Sequence, residues 1–335
     1  MSAGNRLEWY IMEEIVSFAR GLGQSPRFRG KMLCGEPLAP RTTMRVGGPA
    51  VALAVPDDAE SAAYAACAAI RAGLPLFVLG GGSNIIVGDG GLDALVVSLE
   101  RLDGISYGDG LLTAGGGARF DAITEFCAKN CLRGLSSFAG LPGTAGGAAY
   151  MNARCYGVSA GDLIESVSYI DLDGIRAEKC VSDDFALANL AKVYHNKRGE
   201  WAYKKSPFQS FRSLILSVTF RVEAVGRSED NESAIRRENE GFVEDRRNKG
   251  HFRAPSAGSV FKNDRGFGKP SGQLVDEAGL KGLAVGGAQI APWHGNFIIN
   301  TGSATAGDIR ALVERARTAV MERTGFSLET EIIFV

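Results

Sequence analysis

The stretch VLGGGSNIIV, residues 78–87, restricts this chain more than any other. An apolar run ends at three consecutive glycines, Ser83 and Asn84 follow, and a second β-branched run begins at once. Consecutive glycines carry no Cβ, so positive φ is accessible and several N–H groups can turn into one concavity. Such a nest holds an anion, most often phosphate. Gly80, Gly81, Gly82, Ser83 and Asn84 are therefore candidate ligand-binding residues. A second glycine region, LPGTAGGAAYMNA, offers the same chemistry at Gly143, Thr144, Gly146 and Gly147. Two such loops suit a pyrophosphate. Glycine makes up 44 of 335 residues, about twice the usual ~7%. It is clustered rather than periodic, which excludes collagen-like and low-complexity chains.

Neither loop is a known phosphate fingerprint. GxxxxGK[ST] is absent, and with it the P-loop enzymes. The first loop lacks GxGxxG spacing and leads into strand-like residues, so a Rossmann site does not fit.

Around these loops the chain alternates between helical and extended patterns. Residues 1–25 carry Leu7, Ile11, Ile15 and Phe18 at helical spacing. DDAESAAYAACAAIRAG is a helix with an acidic start and a glycine stop. RFDAITEFCAKNCLRG is an amphipathic helix, and LDALVVSL, LLTAGGGA, SVSYIDLDG and SLILSVTFRVEAV are strands. The polar stretch 226–241 reads as a linker and a solvated helix together. The last third holds SAGSVFKN, a helix around GQLVDEAGLKG and the strand-like GNFIIN. A closing helix from about Thr305 to Arg323 follows, its stripe Ile309, Leu312, Val313, Ala316 and Val320, with Gly325 after it.

A net charge of −1 leaves no electrostatic footprint for nucleic acid. No apolar run is long enough to span a membrane, and Glu8, Glu13 and Glu14 interrupt any signal-peptide pattern. The six cysteines, Cys34, Cys67, Cys127, Cys131, Cys155 and Cys180, form no CxxC pair, and only His195, His251 and His294 are present. Buried free thiols, no metal site and a reducing cytoplasm are the expectation.

Six segments then occur in order: GEPLAPRTTMRVGGPA, VLGGGSNIIV, GLPGTAGGAAYMNA, PSAGSVFKN, LVDEAGLKGLAVGGAQI and NFIIN. Together they resemble the UDP-N-acetylenolpyruvoylglucosamine reductase family, from about residue 35 to the C-terminus. The resemblance implies an α+β chain with an FAD-binding fold of the vanillyl-alcohol-oxidase type. Its two α+β subdomains would be 1–102 and 103–225, with a substrate-binding α+β domain at 226–335. It implies non-covalent FAD, with the first glycine loop on the FAD pyrophosphate and the second beside it. NADPH is the implied co-substrate and a UDP-sugar the substrate, with no nucleic-acid or membrane partner, and a monomer is expected.

In the family's reaction NADPH reduces FAD, and flavin N5 then gives hydride to C3 of the enolpyruvyl group of the sugar nucleotide. By resemblance Ser259 donates the proton to C2, Glu331 is the catalytic carboxylate, and Tyr203, Asn263 and Lys281 lie around the substrate. Glu329 is the rival of Glu331. The family's Tyr-Arg-X-Ser motif reads Tyr203-Lys204-Lys205-Ser206 here, so Lys204 stands where an arginine polarises the substrate carboxylate. Lysine keeps the charge and loses the planar fork. Lys205, Lys281 and Lys262 are the alternative cations.

Other departures are NARCYG, which would put bulk near the flavin, and Ile333 where an arginine often stands. The stretch 175–202 is longer than expected, and its ALANLAKVYHNKRGE reads as an added surface helix. Another FAD oxidoreductase of this fold, such as an oxidase, or a non-catalytic nucleotide-binding paralogue are the rival readings.

Overall fold

Residues 50–56 are buried without interruption, the pattern of a strand covered on both faces. In the computed structural model of the chain this strand, Pro49–Pro56, lies in a four-stranded sheet. The order is Gly30–Pro37, Pro49–Pro56, Leu92–Ser98, Leu76–Leu79. The last two are parallel. The helices Ala3–Gln24 and Ala59–Arg71 contribute Ile15, Ala19, Ala62, Ala66 and Ala69 to the core on this sheet. Asp58 caps the second helix by accepting from Ser61 N, and Gly73 follows it with φ 69°. The structure describes residues 3–175, 189–197 and 199–335, the first eight of these by backbone alone.

A second sheet is antiparallel throughout, in the order Ala191–His195, Ile164–Asp171, Ser213–Arg221, Leu111–Gly115, Ile105–Gly108. The helix Phe120–Lys129 buries Phe120, Ile123 and Cys127 in its core. Residues 191–195 correct the expected added helix. They pair with 166–170 as an edge strand, and the backbone ladder overrides the helical propensity of Ala-Lys. The earlier part of that stretch, 176–188, lies outside the described residues.

By contacts the chain divides into two compact units, 1–36 with 50–81 and 93–243, and 37–49 with 82–92 and 244–335. The division falls inside the helix Glu229–Asn248. That helix has an acidic first turn and a basic last turn, each set against the opposite end of the helix dipole. In the second unit the sheet order is Ser256–Ser259, Phe297–Asn300, Ala288–Ile290, Ala284–Val285, all antiparallel. The helix Ala306–Thr324 covers it with Ile309, Leu312, Val313, Ala316 and Val320, the stripe read from the sequence. Thr305 and Asp308 form its capping box, and Gly325 ends it at φ 75°.

Cys67, Cys127, Cys131 and Cys155 are buried and outside any disulfide, and burial pushes the Cys127 thiol up to about 12. Cys34 is exposed instead, and Cys180 lies outside the described residues. No helix among the described residues is long and apolar enough to cross a membrane.

Candidate active site

The first glycine loop keeps its amides available. The N–H groups of Gly80, Gly81, Gly82 and Ser83 find no acceptor among the described residues. Gly82 supplies the left-handed step at φ 59°, and its carbonyl accepts from Thr43 N at 3.0 Å. A Cβ on Gly82 would run into the Arg41 carbonyl, so glycine is required there twice over. Four adjacent unsatisfied amides beside one positive φ fit a pyrophosphate.

Gly81 has a different task. Its φ is not positive, and a Cβ there would lie 2.9 Å from Gly143 Cα. Glycine at 81 lets the two glycine loops meet backbone to backbone. The second loop is only in part the open nest that its sequence suggests: the N–H groups of Gly143 and Thr144 find no acceptor among the described residues, but those of Gly146 and Gly147 do. Thr144 caps the helix Ala145–Met151 by accepting from Gly147 N at 3.3 Å. Gly146 N donates to Gly116 O at 3.0 Å, and Ala145 N to Ala118 O at 2.8 Å. The amides of Gly146 and Gly147 are thus satisfied inside the protein, because the loop doubles as a helix start that needs its donors capped.

Asn84 closes the first loop and is bonded to the C-terminal segment. Its side-chain amide donates to Glu331 O at 3.0 Å, and its carbonyl accepts from Ile333 N at 3.0 Å. Ile85–Ile86 then pairs in parallel with Ile333–Phe334. No local pattern in the sequence marks this join.

Ser259 ends its strand opposite Phe297, after a register shift and with Gly258 at φ 76°. Such a bulge re-aims the side chain that follows. Ser259 is half-buried. Beyond it, 260–262 run against 329–331: Glu331 N donates to Val260 O at 2.7 Å and Lys262 N to Glu329 O at 2.9 Å. The two glutamates are separated by their surroundings. Glu329 is exposed and paired with Lys262 Nζ at 2.6 Å, whereas Glu331 is half-buried. Asn296, 3% exposed, holds this segment with both arms: Oδ1 accepts from Phe261 N and Nδ2 donates to Phe261 O, each at 2.8 Å. Sequence reading missed it, since a buried asparagine ahead of a strand resembles any turn residue.

Tyr203 and Lys204 sit at the tip of a tight turn, not in an extended segment. Lys205 N donates to Ala202 O at 3.0 Å, and Ala202 N to Lys205 O at 3.1 Å. Lys204 is left-handed at φ 56°, the position at which a type II turn asks for glycine. Its Nζ lies 6.0 Å from the Tyr203 ring centroid. Lys204 is half-buried and Lys205 exposed. Ser206 Oγ donates to Tyr150 O at 2.6 Å.

The remaining expected residues carry structural bonds. Asn263 Oδ1 accepts from Ser271 N at 2.8 Å, at the start of the helix Ser271–Glu277, and Lys281 pairs with Asp276 at 2.8 Å. In NARCYG the bulk is divided: Cys155 packs into the core of the antiparallel sheet, while Arg154 is exposed.

A family model described as "UDP-N-acetylenolpyruvoylglucosamine reductase, C-terminal domain" matches residues 250–335, and one described as "FAD binding domain" matches 50–178. The UDP-N-acetylenolpyruvoylglucosamine reductase of Treponema denticola is 42% identical over 328 residues, 93% of this chain and 96% of that one. That of Treponema pallidum is 42% identical over 330 residues, 89% of this chain and 92% of that one. The crystal structure of the reductase from Thermus caldophilus is 30% identical, with a TM-score of 0.69, covering 92% of this chain and 99% of that one.

Proposed function

The chain belongs to the UDP-N-acetylenolpyruvoylglucosamine reductase family, and we propose that it reduces the enolpyruvyl ether of UDP-N-acetylglucosamine to UDP-N-acetylmuramate with NADPH, using non-covalent FAD. FAD, when bound, supplies the hydride that reaches C3 of the substrate. Gly80, Gly81, Gly82 and Ser83 would hold its pyrophosphate through their amides, with the Gly143–Thr144 loop beside them. The residues 80–84 include no cysteine or histidine to which a flavin is commonly bonded, which supports non-covalent binding.

The protein's own residues handle charge and proton. As hydride arrives, electron density moves onto the substrate carboxylate and C2 becomes basic. In this reading Lys204 faces that carboxylate with its charge. Ser259 Oγ gives its proton to C2, and Glu331 is the catalytic carboxylate. A serine hydroxyl is a weak acid and needs positioning, and the register shift beside Gly258 supports Ser259 as the positioned donor. Tyr203, Asn263 and Lys281 are assigned to the substrate. The reading extends to a cytoplasmic monomer acting on small nucleotides alone.

The observation that carries this is one run of hydrogen bonds within the second unit. The segment after Ser259 pairs with the segment bearing Glu331, and Asn84 ties Glu331 to the glycine loop. The test is the absorption of purified protein near 450 nm. NADPH should bleach it anaerobically, and the enolpyruvyl sugar nucleotide should restore it. A yellow protein that NADPH leaves unbleached overturns the reading. So does reduced flavin that oxygen reoxidises rapidly and the sugar nucleotide does not.

A further inference from the structure

We propose that Asn152 is a positioning residue for Lys204, an inference that rests on reading Lys204 as the cation for the substrate carboxylate. Asn152 ends the helix Ala145–Met151 in the left-handed conformation, φ 44°, and is 3% exposed. Its side chain reaches in two directions. Oδ1 accepts from Gly161 N at 2.9 Å, and Nδ2 donates to Ala202 O at 2.7 Å. Ala202 O is also the acceptor that closes the turn, from Lys205 N at 3.0 Å. The atom that defines the Lys204 turn is therefore the atom that Asn152 grips.

The other end of the turn is fastened to the same helix, through Ser206 Oγ to Tyr150 O at 2.6 Å. The anchor is itself held. Asn196 Nδ2 donates to Gly161 O at 2.7 Å, and the Trp201 ring lies where a Cβ on Gly161 would be. All of these residues lie in the first unit.

The geometry explains why such a device is needed. A lysine is a compact charge on a flexible stem, without the fork that lets an arginine orient itself on a carboxylate. Its placement depends on the backbone below it. That backbone is left-handed at a non-glycine residue, a conformation that persists only when its surroundings over-determine it. Asn152 holds the turn from one side and reaches the scaffold at Gly161 from the other. Its side-chain bonds go to Gly161 and Ala202 and to neither glycine loop, so flavin reduction by NADPH should not depend on them.

The test uses the holoenzyme with Asn152→Asp, alone and with Lys204→Met. Aspartate still accepts from Gly161 N but cannot donate to Ala202 O, so the grip on the turn is lost selectively. Flavin reduction by NADPH should stay within about twofold, while reoxidation by the enolpyruvyl sugar nucleotide slows by about tenfold to a hundredfold, the cost of a misplaced group. In the Lys204→Met background Asn152→Asp should add less than about twofold, because it acts through Lys204. Wild-type reoxidation by Asn152→Asp overturns the inference, and so do losses that multiply in the double variant. Wild-type reoxidation by Lys204→Met removes the role of Lys204 itself, and the inference with it. If Asn152→Asp does not yield holoenzyme, Asn152→Gly keeps the left-handed backbone without either arm, and is read the same way.

Discussion

The Asn84 side-chain amide donates to the main-chain carbonyl of Glu331 at 3.0 Å, across 247 residues of sequence. This bond, with that from Ile333 N to Asn84 O, joins the end of a glycine loop to the carboxylate-bearing segment. Asn84→Asp should loosen both: a carboxylate cannot donate, and it brings negative charge to a loop assigned to phosphate. Flavin per protein after gel filtration should fall well below that of wild type. Full retention of flavin would separate Asn84 from the loop's function.

Ser259→Ala should divide the reaction. Flavin reduction by NADPH involves no carbon acid and should proceed nearly as in wild type. Reoxidation by the sugar nucleotide should slow by about 10²–10⁴, the usual contribution of a positioned acid. Stopped-flow absorbance at 450 nm reads both steps, and equal slowing of the two would return Ser259 to a structural role.

Lys204 should show opposed effects on stability and activity. Its φ of 56° belongs to glycine. Lys204→Gly should therefore be more stable by about 0.5–1 kcal/mol, the left-handed penalty less the extra freedom of an unfolded glycine. The same variant should lose most of its reoxidation rate, whereas Lys204→Arg should keep it, since a guanidinium engages a carboxylate with two bonds. Denaturant midpoints and single-turnover rates measured together are the check. A Lys204→Gly protein that is less stable would contradict the strain argument.

Acid should destabilise the second unit through His251. Burial, and then the charges of Arg246, His294 and Lys249, push its imidazole down to about 4 from an ordinary 6.5. The folded protein therefore resists a proton that the unfolded chain accepts. The stability held by neutral His251 is complete above about pH 6.5 and is lost as pH falls toward 4. His251→Gln should have a lower Tm at pH 7.5, because the ring packs on Phe297 at 4.9 Å between centroids. Its Tm should decline less steeply from pH 6.5 to 4. Parallel curves would mean that His251 is not a source of the slope.

Much of the fold is legible in the sequence because its cause is local. The stripe from Ile309 to Val320 makes one helix face whatever it packs against, and Thr305 and Gly325 bound it by chemistry of their own. The valine, tyrosine and isoleucine of SVSYIDLDG and the unbroken apolar run in PAVALAVP likewise favour the strands they form. The family motifs located Ser259 and Glu331, but only as positions in a pattern.

Whether a backbone amide is available to a ligand is not a local property. Gly82 and Gly146 look alike in sequence; the amide of one has no acceptor among the described residues, and that of the other donates to Gly116 O. The difference lies in which distant carbonyl the fold brings within 3 Å. The same holds for Glu329 and Glu331, two residues apart, one exposed beside Lys262 and the other half-buried. It holds also for residues 191–195, whose propensity yields to a ladder supplied by 166–170. The sequence by itself determined the periodicities, the caps and the presence of two glycine loops. Tertiary structure alone decided which of their donors remain for a ligand, because a hydrogen bond needs a partner in space, and these partners lie up to 247 residues away.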